Sequence, residues 1–291
     1  MFDVLRRDRQ LGAVGRALIQ RQVQRFDPDL LLVTRHAVRL GPDRLGRLLA
    51  RCRSALWFFD TTPQPGVMDL ARVVDANYLT TAAQMAAWQA QGLTNVHFLP
   101  QGVDPDIDCP GVVRDAYRCD VSFVGSGRYP FRWPMLQHVA AAGHRFQIRG
   151  PGWQAAPAEL PIAGGDVRGA DFADVVASAT VSLGAHATPA QAAEHASASN
   201  RMWKVLGCGG AYLGPWVPGI EHFARDGEHC AWYRTDHDAV TRLHQLLARP
   251  AECRAMSTRG RAHALAEHTY DHRLAMLLDG TGYPLPLPTN V

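Results

Sequence analysis

Short, almost uninterrupted apolar runs recur along this chain, and longer stretches with helical spacing separate them. The runs "DLLLVT" (29–34), "ALWFFD" (55–60), "VVDANYLTT" (73–81) and "VHFLP" (96–100) have the length of strands and little alternation. A strand that is apolar on both faces is one covered on both faces, which is the condition of a parallel sheet. Between them, "GPDRLGRLLARC" (41–52) and "TTAAQMAAWQAQG" (80–92) place apolar residues at helical intervals, the second closing on Gly92 as a C-cap. This order predicts an open parallel sheet with right-handed crossovers, an α/β fold.

The rhythm stops and restarts. Residues 101–118, "QGVDPDIDCPGVVRDAYR", carry Pro, Gly and Asp without periodicity and read as a linker. "CDVSFVGSG" (119–127) then opens a second series: helix 130–142, strand "RFQIRG" (145–150), helix 170–178, strand "TVSLGAHA" (180–187), helix 199–207 and strand "GAYLGP" (210–215). A short helix around "GIEHF", strand "HCAWYRT", helix 236–248 and one long helix from 251 to 278 complete it. The pattern divides the chain into domains at 1–113 and 114–280, with 281–291 as a tail. Parallel sheets of this kind bind ligands beyond the carboxyl ends of their strands, so a cleft between two such sets of ends is expected. The first domain opens on a helix-like stretch, "LGAVGRALIQRQVQRF", where a strand and a Gly-rich turn are usual. Either that domain is trimmed or its start lies upstream.

Composition removes several classes of function. With 47% hydrophobic and 20% charged residues among 291, the chain has a substantial core. No run approaches the ~20 apolar residues of a bilayer-spanning helix, and the charged start "MFDVLRRDRQ" is not a signal peptide. A cytoplasmic protein without an integral membrane segment is expected. The net charge is only +3, the arginines are scattered, and no aromatic-interleaved basic stripe is present, which argues against nucleic acid. Six separated cysteines without a Cys-x-x-Cys pair argue against zinc and disulfides, and thirteen histidines that include no His-x-x-x-His with a helical Glu between them argue against metal catalysis. No metal and no cofactor are expected.

The candidate ligand-binding residues cluster where strands end. Gly125, Ser126 and Gly127 follow the strand 119–124, with Arg128 and Arg132 near the same point, an arrangement that suits an anion as well as an ordinary turn. Arg149, Gly150, Gly152 and Trp153 repeat it after the next strand, with Trp153 either stacking on a base or capping the core. In "SASNRMWKVLGCGG", Ser199 or Asn200 caps a helix, and Asn200, Arg201 and Lys204 share one face of it. Lys204 is the only lysine in the sequence. Glu221 stands in the first turn of the short helix, placed either by the helix dipole or to accept sugar hydroxyls. His36 and Asp60 follow strands of the first domain and are candidate general bases, or capping groups.

Taken in order, these pieces resemble the GT-B glycosyltransferases of group 1, in the spore-maturation-protein-like branch. The phrases that carry the resemblance are "FLPQGVDP" (98–105), "DVSFVGS…R…ML…AAG…F.I.GPGW" (120–153) and the whole of 200–278 with its "HTYDHR" helix. The resemblance implies two Rossmann-like domains with parallel sheets facing a central cleft, the first possessing the acceptor side and the second the donor side. It implies metal-independent sugar transfer, of hexosyltransferase type, from a nucleotide-diphosphate sugar to an unspecified acceptor. Gly125, Ser126 and Gly150–Trp153 would line the nucleotide pocket, Asn200 and Arg201 the diphosphate, and Glu221 the donor sugar. At the position of Lys204 relatives commonly carry a glutamate that holds the ribose, and Ala196 replaces a second one, with Glu194 close by. An ammonium cannot accept ribose hydrogen bonds. Lys204 therefore either turns to a phosphate or marks weakened binding. The alternatives are a catalytically degenerate module that serves as a binding or partner subunit, and another GT-B reaction such as nucleotide-sugar epimerisation.

Overall fold

The computed structural model describes residues 12–60, 62–189 and 198–285, which form two compact units. One contains the described residues up to Pro100 together with Met276–Leu285, and the other contains Gln101–Ala275.

The first unit is built on a four-stranded parallel sheet. Helix α1 (Ala13–Phe26) precedes β1 (Leu30–Val33), and α2 (Pro42–Leu49) leads to β2 (Arg53–Phe58). Helix α3 (Val67–Val73) then precedes β3 (Ala76–Leu79), and α4 (Gln84–Gln89) precedes β4 (Val96–Phe98). The strands lie in chain order, β1-β2-β3-β4, every neighbouring pair parallel. In β2 every side chain after Arg53 is buried, as a strand covered on both faces requires. Its Trp57 donates its indole N–H to the Leu99 carbonyl and its Ser54 hydroxyl to Asp75 Oδ2, which satisfies the polar side-chain atoms the strand buries. Helix α3 was absent from the sequence reading. It is seven residues long and follows a Pro-Gly stretch.

The second unit carries six parallel strands: β5 (Cys119–Val124), β6 (Phe146–Arg149), β7 (Ile162–Gly164), β8 (Ala179–Leu183), β9 (Tyr212–Pro215) and β10 (Ala231–Tyr233). Their order is β10-β9-β8-β5-β6-β7. The chain builds outward from β5 in one direction and then returns to build outward from its other side, so β5 and β8 flank a topological switch point. Helices α5 (Trp133–Ala141), α6 (Ala170–Ser178), α7 (Asn200–Gly207), α8 (Asp236–Ala248), α9 (Pro250–Glu267) and α10 (Tyr270–Leu278) complete the unit, α10 running past its end. Val121, Phe123, Ile148, Val181 and Leu213 from four central strands form the core with Leu136, Val139 and Leu243 from the helices. Among the described residues no helix is long and apolar enough to cross a membrane.

Three expectations from sequence are corrected here. The stretch 101–118 is no free linker. Val103 N–H donates to His268 O and Tyr270 N–H to Val103 O, Val112 N–H donates to Asp174 Oδ1, and Arg114 pairs with Asp174. These bonds sew the segment to the second unit, and contacts divide the units after Pro100 although the sequence suggested 113. The helix expected over 251–278 is two helices. Its break at His268–Thr269 has no Gly or Pro; Thr269 Oγ1 caps α10 by hydrogen bonding with His272, and the His268 carbonyl is taken by Val103. Strand β7 escaped notice because it is a three-residue edge strand with half-exposed and exposed side chains and a terminal glycine.

Candidate functional site

The carboxyl ends of β5 and β6 interlock. Gly150 has φ 134°, which only glycine adopts without strain, and a side chain on it would collide with the Gly125 carbonyl oxygen. A Cβ on Gly127 would lie 2.5 Å from the Trp153 indole, and one on Gly125 would lie 2.5 Å from Arg201 Nη2. The glycines that suggested backbone approach to a ligand thus first allow two turns and two large side chains to share one small volume. Trp153 is buried, donates its indole N–H to Gly125 O at 3.0 Å and meets Phe123 edge to face. Of the two roles open to it from sequence, it occupies the core-capping one.

Two arginines meet over the ring of Phe123, the last aromatic of β5. Arg201 lies with its guanidinium carbon 4.4 Å from the ring centre and donates Nε–H to Val124 O at 2.6 Å. Arg132 lies 5.5 Å from the same ring and donates from Nη1 to Ser126 O at 3.1 Å. Arg132 is only 6% exposed, and its Nε has no hydrogen-bond partner. Neither guanidinium pairs with a carboxylate among the described residues. Burial and the neighbouring Arg201 push the Arg132 pKa down to about 9, so the group is still a cation at neutral pH. A buried cation without a counter-charge is costly, and an anion brought to it recovers that cost.

Helix α7 begins at the same place. Ser199 is its N-cap, accepting from the Arg201 N–H at 3.1 Å, so Asn200 is the first helical residue. Its amino end adds partial positive charge beside the two arginines. Glu194 and Ala196 lie outside the described residues. Beyond the β5 and β6 turns runs a groove lined by Arg128, Gly150, Gly152, Trp153, Gln154 and Asp166 at the carboxyl ends of β5, β6 and β7. Ser126 Oγ accepts from Arg128 N–H, and the exposed Arg128 side chain lies along that groove.

The remaining sequence candidates have other partners. Arg149 donates to Ala116 O and Gln147 Oε1 and lies 4.5 Å from the Tyr117 ring centre. Lys204 Nζ donates to Asp108 Oδ1 at 3.2 Å, a carboxylate whose side chain is 5% exposed, and lies over the Phe172 ring. Asp108 was not singled out in the sequence, where it is one of several acidic residues in an aperiodic stretch. Glu221 sits in a three-residue 3-10 turn and closes the loop around it, Oε1 accepting from Trp216 Nε1 and Oε2 from Asp226 N–H. In the first unit, Asp60 pairs with Arg35 at 2.6 Å just beyond β1 and β2, and His36 lies in the 3-10 turn Arg35–Leu40.

The signature "HTYDHR" is structural. Arg273 is fully buried and donates to Gln101 O and to His268 Nδ1, and burial pushes the His268 pKa down to about 2. His263, Glu267 and His268 bring possible metal-ligand atoms within 4.8 Å of one another. Since Nδ1 of His268 accepts from Arg273, its Nε2 carries the ring proton of the neutral imidazole and offers no lone pair. That chemistry does not suit a metal ligand. All six cysteines are free thiols.

Residues 132–279, just over half of the chain, match the family described as glycosyl transferase-like. The chain belongs to that family. The matched span holds Arg132, α7 and every strand of the second unit after β5. No curated protein sequence is significantly similar. Among solved structures, sucrose-phosphate synthase from Thermosynechococcus elongatus is similar with a TM-score of 0.62 at 12% identity, covering 91% of this chain and 75% of that one. HepE from Anabaena, determined in complex with UDP, gives 0.65 at 13% identity over 92% and 82% of the two chains. A glycosyltransferase from Rickettsia africae gives 0.64 at 6% identity over 94% and 82%. The fold of the glycosyl transferase-like chain is accordingly GT-B, an α/β fold with two parallel sheets.

Proposed function

We propose that the second unit binds a nucleotide-diphosphate sugar and that the chain transfers the sugar, a hexose, to an acceptor hydroxyl without a metal or cofactor. The observation that carries this reading is the pair Arg132 and Arg201 over Phe123, at the switch point, with no carboxylate partner among the described residues. The diphosphate would sit against these guanidiniums and the amino end of α7, and the base in the groove lined by Gly150, Gln154 and Asp166. Fixed cations at the point where the leaving diphosphate gains charge favour the transition state over the ground state. HepE, which shares the fold, has been seen with UDP-glucose, which supports a nucleotide sugar as the ligand class. The branch resemblance through 200–278 fits the same reading. Lys204 does not take part in it: its ammonium is neutralised by Asp108.

One observation favours a second reading. If the family's ribose-holding carboxylate is absent and Lys204 is spent on Asp108, donor affinity can be too weak for turnover, leaving a degenerate partner module. A thermal-shift panel with UDP, GDP, dTDP, CDP and ADP separates the two. A ligand at 100 times its dissociation constant adds about 2.7 kcal/mol, roughly 5–10 °C for a chain of this size. One diphosphate is expected to give that shift, Arg201→Ala to remove most of it, and Asp60→Asn to leave it intact. Silence across the panel would sink the transferase reading in favour of the degenerate module.

A further inference from the structure

The groove at the carboxyl ends of β5, β6 and β7 has few polar side chains left to offer. Trp133 gives its indole N–H to Gly127 O, and Trp153 gives its own to Gly125 O. Arg128, Gln154 and Asp166 remain, all three exposed, and Asp166 is the one carboxylate among the described lining residues. Its Oδ2 accepts from Arg168 Nε at 2.6 Å, in a pair whose side chains are 42% and 69% exposed, while its Oδ1 accepts from no described residue. An ion pair so open to water holds little energy and yields to a ligand. Ile162, 40% exposed, and Pro151 give the groove apolar surface against which a flat ring can lie. The position of Asp166 is fixed from the phosphate end. Gly150 N–H donates to Gly164 O at 3.2 Å and to Gly165 O at 2.9 Å. The loop that carries Asp166 thus hangs from the same turn that interlocks with Gly125 beside Arg201. β7 lies two strand spacings from β5, about 10 Å, which leaves a ribose and a base to cross the interval.

A carboxylate only accepts hydrogen bonds, and it does so with two oxygens side by side. Uracil and thymine present one N–H flanked by carbonyl oxygens. Cytosine and adenine present an amino group beside a bare ring nitrogen. Against each of these, one carboxylate oxygen gains a bond and the other meets a lone pair, which costs affinity. Among the common bases only guanine sets two donors side by side, N1–H and the N2 amino group. Its O6 and N7 form a purely accepting edge, to which an arginine donates well. Arg128 and Gln154 supply donors in the same groove. One carboxylate and one guanidinium therefore match guanine and mismatch the other bases.

We propose that Asp166 selects guanine, so that the donor is a guanosine-diphosphate sugar. This rests on the nucleotide-sugar reading above and adds the base to it. Calorimetric titrations of the full chain would compare GDP with UDP, ADP, inosine diphosphate and xanthosine diphosphate. Inosine diphosphate lacks the N2 amino group, and xanthosine diphosphate carries a carbonyl oxygen in its place. GDP is expected to bind about tenfold more tightly than any of the other four, the worth of one charge-assisted hydrogen bond. Asp166→Asn turns one accepting atom into a donor at nearly constant shape. It is expected to weaken GDP about tenfold and to let xanthosine diphosphate bind more tightly than GDP, a gain that a damaged fold cannot produce. Equal affinity for GDP and inosine diphosphate would overturn the proposal, as would a GDP preference that survives Asp166→Asn. Tighter binding of UDP or ADP than of GDP would overturn it and leave the nucleotide-sugar reading standing. Silence with all five would overturn both.

Discussion

The two units solve the same folding problem and leave opposite electrostatics at their strand ends. In the first, the sheet runs β1-β2-β3-β4 in chain order, and the charged groups beyond β1 and β2, Arg35 and Asp60, neutralise each other. In the second, strand order reverses about β5 and β8, and the cations at that reversal, Arg132 and Arg201, share an aromatic ring with no carboxylate partner among the described residues. A fold that pairs its own charges has finished its chemistry there. One that buries a cation without a partner among the described residues invites an anion from outside. The proposed diphosphate site therefore lies on the second unit, where Arg132 and Arg201 meet.

The largest effect that would break this contrast comes from the interlocked turns. Gly150→Ala, which adds a Cβ against the Gly125 carbonyl at φ 134°, is expected to cost about 3 kcal/mol or more and to abolish nucleotide binding. Gly46→Ala in α2 of the first unit meets nothing within 4 Å and is expected to stabilise by about 0.5–1 kcal/mol. Urea unfolding of both variants checks the pair; a mild Gly150→Ala would show that the turns can relax.

The ion pairs give the next contrast. Lys204→Met strands the buried carboxylate of Asp108 and is expected to cost about 1–3 kcal/mol, reduced from the fully buried case because Lys204 is one-third exposed. Lys204→Met combined with Asp108→Asn should recover much of that loss. Arg35→Ala, which breaks a pair about one-third exposed on both sides, should cost under about 1 kcal/mol. Equal costs at the two places would remove the distinction.

The last contrast is in pH. Burial lowers the His186 pKa to about 4, below its value in the unfolded chain, so between about 6.5 and 4 the unfolded state binds a proton that the folded state refuses. The stability from neutral His186 is thus complete above pH 6.5 and is lost as pH falls through that window. The Tm is expected to fall from pH 7 to pH 5, and to fall less in His186→Gln; identical slopes would count against a neutral, half-buried ring.

Much of the fold could be read from the sequence because parallel strands buried on both faces announce themselves as apolar runs; seven of the described strands fell inside stretches read that way, β2 and β8 overlapped theirs, and α6 and α8 matched their expected limits. Strand β7 and helix α3 did not, being short and flanked by the Gly and Pro that signal loops. The anion site was partly visible, since Arg132 follows β5 and Arg201 opens α7, but Arg201 reaches the end of β5 from 77 positions away, which no local pattern records. His186 had a signal that was passed over: it lies three residues beyond Leu183, where a βαβ sheet aims its functional side chains. Asp108 had none. Its meaning comes wholly from Lys204, on a helix 96 positions away.

That pairing gives the chain an unusual chemical handle. Across 291 residues there is one ε-amine, and it is hydrogen-bonded to a buried carboxylate. An amine-directed acylating reagent has a single side chain to find, and it must wait for that side chain to let go. The rate at which Lys204 is acylated, followed by mass spectrometry on its peptide, is therefore a clock for how often its ammonium leaves Asp108.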